Sequence, residues 1–96
     1  MALSKYTKEF LDSQIDYYIS EAQSYKQIAE SYVPEVESVS DTAFGIIAGC
    51  VYSGFLQAYS NQKQAPSLED LQEFTKIIKD RAPLIKKAMI ENESKK

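Results

Sequence analysis

The 96-residue sequence contains no histidine. That absence removes the commonest general base near neutral pH, the commonest transition-metal ligand, and any Cys–His nucleophile. Cysteine is nearly absent too: Cys50 stands alone, so no disulfide can form within the chain, and a reducing cytoplasm is the expected location. Its apolar neighbourhood, with no adjacent cation, suits a packed thiol and not a reactive one. All three glycines fall between Thr42 and Gln62 at helical spacing, which excludes a glycine-rich phosphate loop at a strand-to-helix turn. Strand-like alternation, internal repeats and low-complexity tracts are missing, and the start lacks the pattern of a secretory leader. Cations are outnumbered, 11 against 14 carboxylates, so no nucleic-acid partner is expected.

What is present is enough apolar material for a core, 44% hydrophobic and 11% aromatic, in a chain short enough that oligomerisation is a common remedy for a small core. Between about residues 7 and 33, Leu11, Ile15, Tyr18, Ala22, Tyr25, Ala29 and Tyr32 recur at alternating spacings of four and three. This heptad seam predicts one long helix, ended by Pro34, whose ring pushes the preceding residue out of helical geometry. Tyrosine rings alternating with alanines suit the margin of a bundle or an interface, because each hydroxyl needs a partner.

The second predicted helix, about 41–61, carries no ionisable charge from Thr42 to Gln62, and its apolar residues surround the axis instead of forming one stripe. Such a helix must be buried on several sides. Gly45, Gly49 and Ser53 lie four apart on one face, with Ala43, Cys50, Gly54 and Ala58 near the opposite one. Small faces permit close helix approach, either within the chain, the commoner use in soluble bundles, or between copies. The stretch is also about the length of a membrane span, but Ser53, Gln57, Ser60 and Asn61 dilute it, and no membrane partner is expected.

A third helix is predicted over about 68–91, opened by a capping box in which Ser67 faces Asp70. Leu71, Phe74, Ile78, Ala82, Ile85 and Met89 mark its inner face, and Lys76, Lys79, Lys86 and Lys87 a solvated outer one. Pro83 should kink it near Asp80. Residues 1–60 hold three lysines against eight carboxylates, a balance of −5, whereas 61–96 hold eight cations against six carboxylates, +2, so the halves are complementary.

The expected fold is therefore all-α, a three-helix bundle forming one domain over 1–90, with a frayed charged tail over 91–96. The expected function is a non-enzymatic interaction module that self-associates, most simply as a homodimer. Tyr18, Tyr25, Gly45, Gly49, Tyr52 and Phe55 are the expected contact residues, and the acidic first helix of one copy can meet the basic third helix of the other. No cofactor or metal is expected in that reading. Two alternatives are an adaptor that binds a partner protein's helix, and a magnesium-dependent all-α nucleotide hydrolase using Glu69 and Glu73 of the acidic cluster Glu69, Asp70, Glu73. The hydrolase needs a second acidic pair on a facing helix, for which Glu9, Asp12 and Asp16 are the candidates; capping and dipole compensation explain the cluster without metal.

Overall fold

The computed structural model describes residues 3–94, with side chains as far as residue 90. It is all-helical over the described residues, with four helices: α1 (Lys5–Ser20), α2 (Ala22–Glu30), α3 (Val39–Asn61) and α4 (Leu68–Ser94). The three-helix count is corrected at Glu21, where the expected first helix divides. Its backbone sits at φ −105° and ψ 15°, outside the helical region. The Ser20 hydroxyl donates to the Tyr17 carbonyl at 2.6 Å, competing for an acceptor that the backbone ladder would use. No glycine or proline marks this break. The apolar seam nevertheless continues across it, with Leu11, Ile15, Ala22 and Ala29 completely buried. Tyr32, the last expected seam residue, lies beyond the end of α2 and is exposed.

The starts of the second and third predicted helices have local causes. Ser38 caps α3 by accepting from the Asp41 amide at 3.1 Å, so the helix begins two residues before the predicted start. At α4 the Ser67 hydroxyl accepts from the Asp70 amide at 3.1 Å, while the Asp70 carboxylate accepts from the Ser67 amide at 2.9 Å, the reciprocal capping box. The α4 backbone continues through Pro83 as one element. The side chains of residues 91–96, the expected tail, lie outside the described residues.

α1 and α2 each pack against both α3 and α4, and α3 packs against α4. α3 runs antiparallel to its neighbours: Gly54 meets Phe10 and Gln14 near the start of α1, whereas Cys50 meets Tyr18 and Tyr25 further along. The core is built from Leu11 and Ile15 of α1, Ala22 and Ala29 of α2, Ala43, Ile47, Val51 and Phe55 of α3, and Phe74, Ile78, Ile85 and Met89 of α4. Burying each large member is worth about 1.5–3 kcal/mol. Leu3 is buried as well, and its amide donates to Glu73 Oε1 at 3.2 Å.

The complementary charges meet within the chain. Lys8 pairs with Glu73 at 3.1 Å, Arg81 pairs with Asp12 at 3.3 Å and also with Asp16, and Lys86 pairs with Asp41. These contacts set α1 and α4 side by side in parallel, and the side-chain amide of Gln23 donating to the Met89 carbonyl at 2.6 Å extends the register to α2.

Candidate functional site

The most unusual surface is the outer face of α3. Ala43, Ile47, Val51 and Phe55 point inward and are fully buried, so the opposite side of the same helix carries Gly45, Gly49, Tyr52 and Ser53 into solvent, with Leu56 half-buried beside them. A Cβ built on Gly45 or Gly49 meets nothing within 4 Å. Neither glycine therefore serves a close approach inside the chain. Each still costs the helix about 1 kcal/mol relative to alanine, and no intramolecular packing offsets it. Gly54 differs: a Cβ there lies 3.3 Å from Gln14 Oε1 and 3.7 Å from the Phe10 ring, so this glycine does admit α1.

Tyr52 is 38% exposed. Its ring rests on Phe74 at 5.4 Å and on Phe55 at 6.5 Å between centroids, and Phe55 and Phe74 stack at 4.8 Å beneath it. A rigid core aromatic pair thus holds the exposed ring in place. One end of the face is bounded by Asp41 and Lys86, whose ammonium also lies 5.8 Å from the Phe44 ring centroid. The face carries no ionisable group other than the tyrosine phenol.

The six residues expected at a contact separate into three groups. Gly45, Gly49 and Tyr52 share the outer face. Phe55 has no exposed surface and is a core residue, because the helical period turns it toward α4. Tyr18 and Tyr25 are half-buried on the α1–α2 side, their rings 5.4 Å apart, and Tyr17 meets Tyr18 edge-on at 5.0 Å. Burial, then the neighbouring Cys50, pushes both the Tyr18 and Tyr25 phenols above their ordinary pKa. Ser53 and Leu56 join the face although they were not among the expected contacts; the four-residue spacing from Gly45 and Gly49 identifies Ser53.

The acidic cluster is divided among structural tasks. Asp70 completes the helix cap, and its bond to the Ser67 amide, with the nearby Tyr59 phenol adding to it, holds its carboxyl below the usual range. Desolvation, then Asp70 and Glu73, pushes the Tyr59 phenol up to about 12. Glu73 meets Lys8 and the Leu3 amide, while Glu69 is exposed. On the facing helix Asp12 and Asp16 hold Arg81. Among the described residues no three His, Cys, Asp or Glu side chains converge to hold a metal ion.

Two adjoining clefts of about 400 and 250 Å³ open between the first half of α1 and the last turns of α3. They share Tyr6, Phe10, Ala58 and Gln62. Sequence reasoning passed over this region, although the amide-rich run Gln57, Asn61, Gln62 and Gln64 was a signal.

Among the described residues α3 alone is long and apolar enough to cross a membrane by length and composition, with mean hydropathy 1.4 in its most apolar window, of which 22% is buried within the chain. The chain matches no family model, no curated protein and no solved structure.

Proposed function

We propose that this protein is a non-enzymatic helical interaction module that forms a homodimer through the outer face of α3. The observation that carries the reading is the solvent position of Gly45 and Gly49, two helix-weakening residues that nothing in the chain packs against. Small residues four apart allow two helix backbones to approach closely, which supplies the contact that each helix lacks alone. The face suits a second copy because it bears no fixed charge, so two identical faces meet without like-charge repulsion. Tyr52 offers an aromatic anchor of the kind that concentrates interface energy. The polar residues Ser53 and Ser60 and the fully buried Ile47, Val51 and Phe55 favour a protein partner over lipid: one side of α3 already belongs to a core, and the other is neither polar nor greasy throughout. A cytoplasmic location accords with the lone thiol.

Size exclusion with light scattering tests the proposal at tens of micromolar protein. A mass near twice 10.9 kDa is expected. Gly49→Lys should return the monomer without loss of helical circular dichroism, since the added side chain enters open space within the chain.

A further inference from the structure

We draw no further inference here: the strongest candidate, the pair of adjoining clefts between the first half of α1 and the last turns of α3, is lined by side-chain carboxamides and aromatic rings that suit polar ligands of many kinds, and nothing in the structure shows what covers it.

Discussion

At the scale of single residues, two aromatic side chains on α3 divide the labour of the surface and the core. Phe55 is enclosed by Phe74, Tyr59 and Tyr52, with ring centroids 4.8, 5.0 and 6.5 Å away, and nothing of it reaches water. Phe55→Ala is expected to cost about 3–5 kcal/mol in a chemical denaturation experiment, the range for emptying a large aromatic site. Tyr59, near the end of α3, lies close to Asp70 at the start of α4. Its phenol is raised to about 12, so its neutral form is favoured in the folded state. The stability this confers is complete below pH ~10, the unfolded value, and is lost as pH rises through the folded value near 12. Spectrophotometric titration should therefore show one tyrosine ionising well after the solvent-exposed ones, and Asp70→Asn should bring it down. Asp41 and Asp70 act at the other extreme. Both carboxyls are held low, Asp41 chiefly by its bond to Lys86 and Asp70 by its bond to the Ser67 amide, so the stability they supply is present above pH ~4 and is lost as pH falls below it.

At the scale of elements, Pro83 is the residue that local rules most disfavour. It leaves the Lys79 carbonyl without its backbone donor, yet α4 is continuous because Ile78, Ile85 and Met89 anchor the turns on either side in the core. Pro83→Ala should restore one hydrogen bond at an exposed position and stabilise the fold by about 1–3 kcal/mol, read as a melting temperature several degrees higher. The helical elements were largely legible because their signals are local: the heptad spacing of Leu11 to Ala29, the capping box at Ser67, and the inward series Leu71 to Met89 all depend on neighbours a few residues apart. The break at Glu21 was not legible. It arises where α1 and α2 each adjust to α3 and α4, with the Ser20 hydroxyl taking the Tyr17 carbonyl, and no residue there is a helix breaker. Sequence spacing set Gly45 and Gly49 on one face of α3 and Gly54 near the opposite one, but did not tell which face meets the rest of the chain. Gly54 admits the α1 side chains; the other two face water. The position of Phe55 was ambiguous for the same reason, since a helix that is apolar all round does not declare which side meets its own chain.

At the scale of the whole molecule, all four helices share one apolar interior, in which Leu11 and Ile15 of α1, Ala22 and Ala29 of α2, Phe55 of α3 and Ile85 of α4 are completely buried. The charges are largely reconciled internally: Asp12 and Asp16 with Arg81, Asp41 with Lys86, and Glu73 with Lys8. These pairs are solvent-exposed or partly so and contribute little to stability, so their main effect is to set the register of α1 and α3 on α4. It follows that pairing of the acidic α1 with the basic α4 of another copy is not what the dimer proposal rests on. Association through an uncharged face should be insensitive to salt, whereas an electrostatic contact between copies would weaken as screening increases.

The mass of the protein in solution tests this account most directly. Light scattering across a dilution series from hundreds to a few micromolar should give twice the 10.9 kDa chain mass at the concentrated end, unchanged by added salt, and the single-chain mass for Gly49→Lys with helicity intact. A wild-type protein that stays at 10.9 kDa throughout while melting cooperatively would contradict it, because the outer face of α3 would then be stable in water with nothing to cover it.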